Sequence, residues 1–157
     1  MEVEQAVANM SVEINYPMAF CGAVLGGIAG MLLWWGFTVI TKIAFGLVAV
    51  VIGVLVGQGT VRFAGQKRST GLQELSVGVS VLSFVMATYL VNMSFINQEL
   101  AKRGATWRVS FPPPSVQVFY RVVAAGFSVM KVVFLAIVVW EAWIIPRPIK
   151  LPETPAA

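Results

Sequence analysis

The amino-acid sequence predicts an all-α polytopic membrane protein, one membrane domain over residues 1–157 with four transmembrane helices and a tight first hairpin. Three observations predict it. The chain is 58% hydrophobic and only 11% charged, with a mean hydropathy of +0.82, which leaves too little polar surface to coat a water-soluble globule. Its apolar residues fall into four stretches near the length of about 20 that one membrane-spanning helix needs. Short polar connections separate those stretches, and no room remains for a soluble catalytic domain.

Residues 1–16, MEVEQAVANMSVEINY, carry Glu2, Glu4 and Glu13 and no basic residue, unlike the basic start of a cleaved signal peptide. They read as a short polar tail. The first span, 17–40, is uncharged and holds Trp34 and Trp35 toward its second end, at the level of an aromatic belt. Only Thr41, Lys42 and Ile43 separate it from the second span, 44–61, which forces an antiparallel hairpin. A polar loop follows with Arg62, Lys67 and Arg68, and then a third span over 72–93 with Glu74 at its mouth and Tyr89 near its far end. Residues 94–117 are polar enough to leave the hydrocarbon, with a short interfacial helix expected over Ile96 to Arg103, stopped at Gly104. Pro112, Pro113 and Pro114 then impose an extended, donor-free segment. The fourth span runs over 119–145 and is stopped by Pro146, and 146–157 form a proline-rich tail.

Four crossings place both termini and the 62–71 loop on one side. Arg62, Lys67, Arg68, Arg147 and Lys150 there balance Lys42, Lys102, Arg103, Arg108 and Arg121 on the other. The compact Arg62, Lys67, Arg68 cluster assigns both termini to the cytoplasm.

The reactive side chains exclude most chemistry. The chain has no His, its seven acids are all Glu, and Cys21 is its single cysteine. Without His there is no Ser/His or Cys/His nucleophile, no His-ligated haem and no common zinc or non-haem iron site. Cys21 closes no intrachain disulfide and reads as a small buried apolar residue. The expectation is therefore no enzyme, no metal and no cofactor. The net charge of +4 does not point to nucleic acid, because the basic residues sit at helix ends and loops, where they meet lipid headgroups.

Glycines carry the packing expectation. Gly22, Gly26 and Gly30 repeat every four residues on one face of the first helix, and Gly46, Gly53 and Gly57 share a face of the second. Counted from the turn, Gly30 matches Gly53 in depth and Gly26 matches Gly57, so the two faces are expected to meet within the hairpin. The alternative is that one face, with Ser76, Ser80, Ser83 and Ala87 of the third helix, docks another subunit.

Three ionisable residues lie in or beside apolar stretches: Glu74, Lys131 and Glu141. Lys131 and Glu141 are ten residues apart, too far for a pair within one helix. Lys131 snorkels on its flexible stem while the two Glu reach the headgroups, or the three serve an ion relay, or Lys131 pairs with a partner subunit or a lipid. Trp140 and Trp143 flank Glu141 as interface anchors, and Tyr120 and Arg121 mark the start of the fourth span.

The run LWWGFTVITKIAFGLVAVVIGVLVGQGTVRFAG, continuing as QKRSTGLQELSVGVSVLSFVMATYL, resembles an uncharacterised group of small bacterial inner-membrane proteins built on a glycine-rich transmembrane hairpin. The shared elements are Trp34 in the first helix, Thr41 at the turn, Gly53 with Gly57 in the second helix, and Gly71 with Gln73 at the entry to the third. The resemblance covers residues 17–93, and the chain from 94 onward departs from it. It implies a bacterial inner-membrane location and no activity.

These readings converge on a non-catalytic integral membrane subunit or scaffold that packs within a larger membrane protein complex, with membrane lipids and other membrane subunits as partners. The alternative is a small homo-oligomeric transporter or channel, favoured by Glu74, Lys131 and Glu141 and by the balanced basic residues. Four-helix multidrug transporters are a parallel for it, but they place a Glu within the first helix, and here no charge lies between Pro17 and Ile40.

Overall fold

In the computed structural model, which describes residues 14–43 and 47–148, every element is a helix. Gly46 and both tails, 1–13 and 149–157, lie outside the described residues. The helices are α1 (Tyr16–Thr41), α2 (Leu47–Phe63), α3 (Thr70–Lys102), α4 (Val116–Ala125) and α5 (Val129–Ile144).

Local chemistry sets most of the helix ends. Asn15 caps α1 by accepting from the Met18 N–H at 3.1 Å, with Pro17 in the first turn where its missing donor costs nothing. At its other end Lys42 takes φ 60° and returns its N–H to the Thr38 carbonyl, which turns the chain toward α2. Both α2 and α3 end in the same motif. Gly65 and Gly104 adopt left-handed backbone (φ 73° and 71°), and the next residue's N–H reaches back to Val61 and Leu100, respectively. Ser69, Ser115 and Ser128 cap α3, α4 and α5 by accepting from the N–H three residues on.

Two predicted boundaries are corrected. The third span and the interfacial helix are one continuous helix, because no Gly or Pro interrupts the chain between Gly78 and Gly104. Its 33 residues reach about 50 Å, well beyond the ~30 Å hydrocarbon layer. The predicted fourth span over 119–145 is broken instead, with α4 and α5 meeting at 105°. Gly126 ends α4 and Ser128 caps α5, so the chain supplies a stop and a start inside an apolar run. By length and hydropathy α1 and α3 suffice to cross a membrane, and a third crossing follows if the bent pair counts as one. The four crossings expected from the sequence thus exceed what those criteria show, since α2 has 17 residues and α5 has 16.

The chain folds up, down, up and down. Helix α2 is central, packing on α1, α3 and α5, while α4 touches only α3. Ala23, Trp34, Ala49, Ile52, Val56, Val79, Phe84, Ala87 and Val138 form the core, with the Trp34 and Phe84 rings stacked at 5.1 Å. Large apolar side chains cover the outside instead, among them Leu25, Ile28, Leu33, Leu82 and Val132. Glycines at the backbone contacts and large apolar side chains facing outward suit a lipid solvent, where close backbone approach rather than apolar expulsion holds helices together.

Candidate functional site: a glycine seam, three charges and a broken helix

Glycine on α1 brings the backbones of α1 and α2 together. An added Cβ on Gly30 would lie 2.8 Å from the Ile52 Cα, one on Gly26 would meet the Leu55 carbonyl, and Gly22 and Gly59 approach each other backbone to backbone. The predicted depth match between the two glycine faces is not what pairs them. Gly53 and Gly57 face α5, where a Cβ would lie 2.6 Å from the Val138 carbonyl oxygen and 2.9 Å from Ile145 Cβ, respectively. The reason is geometric. Helix α2 has three neighbours, so its small residues serve two interfaces, Gly59 toward α1 and Gly53 with Gly57 toward α5. Gly59 was missed because it breaks the i, i+4 spacing of the other glycines, yet it continues the face that begins at Ile52 and Val56.

The serine face of α3 turns inward. Ser76 and Ser80 are fully buried, Ser83 packs its hydroxyl against Gly27, and Ala87 joins the core. Among the described residues the hydroxyls of Ser76, Ser80, Thr38 and Thr88 and the Trp34 indole N–H are buried without a hydrogen-bond partner. Elsewhere Thr60 and Ser94 donate to the carbonyl four residues back, at 2.8 and 2.9 Å, and a χ1 rotation gives a buried helical hydroxyl the same outlet.

The three ionisable residues do not come together. Glu74 is exposed near the start of α3. Glu141 is half-buried on α5 with its Cβ against Gly53. Lys131 lies toward the opposite end of α5, its Nζ 3.4 Å from Asn92 Oδ1 on α3. Among the described residues the ion pairs are Glu99 with Lys102 and with Arg103, both exposed on the last turns of α3, and no cluster of acids and Cys has the makings of a metal site.

Asn92 organises the break. Its Nδ2 donates to the Val122 carbonyl at 2.8 Å and, more weakly, to that of Val123 at 3.5 Å, while its Oδ1 faces Lys131. Two carbonyls that the end of α4 leaves unpaired thus receive a donor from α3, as an interrupted helix near hydrocarbon requires. Gly126 packs directly on the Asn92 amide, with the site of a Cβ only 2.8 Å from Asn92 Cγ. The sequence carried a signal for this joint, Gly126 and Ser128 as adjacent stop and cap, and Asn92 as an uncharged polar residue in an apolar run.

Further side chains of α3 pin the chain that follows it. Asn97 donates to the Val109 carbonyl (2.8 Å) and accepts from the Val109 N–H (2.7 Å). The Tyr89 hydroxyl donates to the Ser110 carbonyl at 2.6 Å, and its ring stacks on Phe119 of α4 at 5.2 Å. At the other end of α3, Gln73 Nε2 donates to the Trp143 carbonyl at 2.7 Å. Gln73 and Asn92 therefore mark the two ends of α5 along α3. No family model, no curated protein and no solved structure matches the chain.

Proposed function

We propose that the chain is a non-catalytic integral membrane subunit or scaffold, crossing the bilayer four times and packing within a larger membrane protein complex. Four crossings are supported by the positions of Gln73 and Asn92. They lie 19 residues apart on α3, about 28 Å along a helix, and α5, 16 residues and about 24 Å long, is held to Gln73 at its Trp143 carbonyl and to Asn92 through the Lys131 side chain, so it covers most of the ~30 Å hydrocarbon depth. Helix α2, 17 residues and about 26 Å long, packs along α1 over about 12 Å of that depth, from Gly30 beside Ile52 to Gly22 beside Gly59. Both termini then lie on one side of a bacterial inner membrane, and the Arg62, Lys67, Arg68 loop favours the cytoplasmic side.

The observation that carries the subunit reading is Gly78. Interior glycines cost a helix about 1 kcal/mol relative to Ala, and those of the α1, α2 and α5 seams are used for contact. Gly78, like Gly36 on α1, has nothing within 4 Å of an added Cβ, and it is set apart by its surroundings. It lies in an apolar groove between α1 and α3 with Phe20, Leu75, Val79, Val81 and Leu82, open to a transmembrane helix of another subunit. Gly78→Leu is expected to leave the thermal midpoint in mild detergent within about 2 °C of wild type while removing the proteins that co-purify from native membranes. An unchanged complex would sink this reading.

The transporter or channel reading draws its support from the helix break beside Lys131, since interrupted helices often line ion sites in transporters. It expects a homo-oligomer alone in the same purification, and loss of flux in Lys131→Gln.

A further inference from the structure

The stretch from the last turns of α3 to the start of α5 has features the bundle itself does not require. Between Ser94 and Lys131 the sequence holds five basic residues, Lys102, Arg103, Arg108, Arg121 and Lys131, against one acid, Glu99. Lys42 joins this end by donating to Gln98. Glu99 answers Lys102 and Arg103, but among the described residues neither Arg108 nor Arg121 has an ion-pair partner. Trp107 and Tyr120 are 62% and 71% exposed, and Phe111 and Phe127 about half exposed.

Held positions distinguish this surface from a slack connection. Asn97 clamps Val109 through both of its amide atoms, Tyr89 holds Ser110 and stacks on Phe119, and Asn92 holds the end of α4. The 105° bend turns α4 out of the direction of α5. With α5 crossing the bilayer as proposed, α4 lies along its surface, and the chain neighbours Trp107 with Arg108 and Tyr120 with Arg121 come to headgroup depth. Aromatic rings at that depth place their bodies among the upper acyl chains, while guanidinium groups take phosphate oxygens in forked hydrogen bonds.

We propose that residues 102–127 form a preformed binding surface for the headgroups of anionic phospholipids, with Arg103, Arg108 and Arg121 as the phosphate-binding residues and Trp107 and Tyr120 as the ring anchors. The occupant is the lipid of the surrounding leaflet rather than a partner protein. Along the chain the two most exposed rings of this stretch are each the neighbour of a cation, Trp107 of Arg108 and Tyr120 of Arg121, whereas a protein-docking face gathers its aromatics in a desolvated centre and thins out charge there. This assignment rests on the four-crossing arrangement and is independent of the subunit reading.

The test uses the full chain in nanodiscs of phosphatidylcholine with about one third phosphatidylglycerol, and native mass spectrometry of the lipids retained on release. The Arg103→Gln, Arg108→Gln, Arg121→Gln triple variant is expected to lose the preference for phosphatidylglycerol by roughly a hundredfold, since each basic residue at an anionic surface contributes about fivefold. Arg62→Gln with Arg68→Gln, on the opposite side and without neighbouring exposed tryptophan or tyrosine, is expected to lose clearly less than the triple variant, at most the roughly 25-fold that diffuse charge alone gives for two residues. Equal retention by the triple variant and wild type overturns the proposal, as does equal loss in the two variants, which would make the attraction one of diffuse charge. Unchanged lipid retention with loss of a co-purifying protein would overturn it in favour of a protein-docking face. In a Cys21→Ala background, Ala124→Cys and Pro148→Cys label from opposite sides if α5 crosses alone, whereas Ala124→Cys is shielded if α4 and α5 are one span, so failure of the crossing arrangement is read separately from failure of lipid binding.

Discussion

Asn92 is the residue whose removal tests the architecture most directly, because one short amide serves an interrupted helix and a lysine at once. Asn92→Leu keeps the volume and deletes the donors, so the Val122 and Val123 carbonyls and the Lys131 ammonium must find other partners. Polar interactions between membrane helices are worth about 0.6 kcal/mol on average and up to about 1.7. Because the substitution removes more than one such hydrogen bond, the expected destabilisation is about 1–2 kcal/mol, read as a lower midpoint in detergent unfolding and as faster tryptic cleavage at Arg121 and Lys131. The buried serines predict the opposite sign. Among the described residues the Ser76 and Ser80 hydroxyls have no partner on another helix, and the carbonyl four residues back that a χ1 rotation offers them adds nothing to helix stability. Ser80→Ala is therefore expected to leave the unfolding midpoint unchanged or raise it. A fall of more than about 1 kcal/mol would mean that the hydroxyl has a partner within the bilayer.

At the level of elements, the seams between α1 and α2 and between α2 and α5 are separate, because Gly30 faces Ile52 while Gly53 faces Val138. Gly30→Leu is expected to part the first hairpin and Gly53→Leu to part α5 from α2, which disulfide trapping across each seam, with cysteines placed at neighbouring positions, reports one at a time. The joint between α4 and α5 allows a finer check. Gly126→Ala collides with the Asn92 amide, so it should cost stability in the native background and much less in Asn92→Ala, a coupling that a double-mutant cycle measures. These elements also show what the sequence made legible. The apolar runs predicted α1, α2 and the membrane part of α3, and Gly104 marked the end of α3, since hydropathy and left-handed glycine are local properties. The pairing of the glycine faces was not legible, because spacing along α2 says which residues share a face and not which of three neighbours that face meets. The break in the fourth apolar run was hidden for a related reason. Hydropathy averages over Gly126 and Ser128, and the residue that stabilises the gap, Asn92, comes from a different helix. Likewise Glu74, Lys131 and Glu141 were recognisable as costly charges, yet their separation in space depends on how α3 and α5 are set against each other.

The whole molecule has two unlike ends. At one, Tyr16 packs on Gly71 and Gln73 ties α3 to the end of α5, which brings the starts of α1 and α3 and the finish of α5 together. At the other, α3 runs on past Trp35, whose indole donates to Ser94 at 2.9 Å, and carries the bent-back chain and α4 with it. That asymmetry decides how the fourth apolar run uses the membrane. Were α4 and α5 one tilted span, Ala124 would sit near mid-membrane; with α5 crossing alone, Ala124 lies at headgroup depth, level with Asn92 and on the same side as Arg103. A nitroxide attached through Ala124→Cys in the Cys21→Ala background separates the two. The surface arrangement expects its collision rates with oxygen and a water-soluble nickel chelate to match those of a label at Arg108→Cys, and to differ from a label at Ala136→Cys, midway along α5 on an exposed face. A label at 124 that behaves like the one at 136 would restore a single long span through the break, and would take with it both the fourth independent crossing and the lipid-binding surface built on the bend.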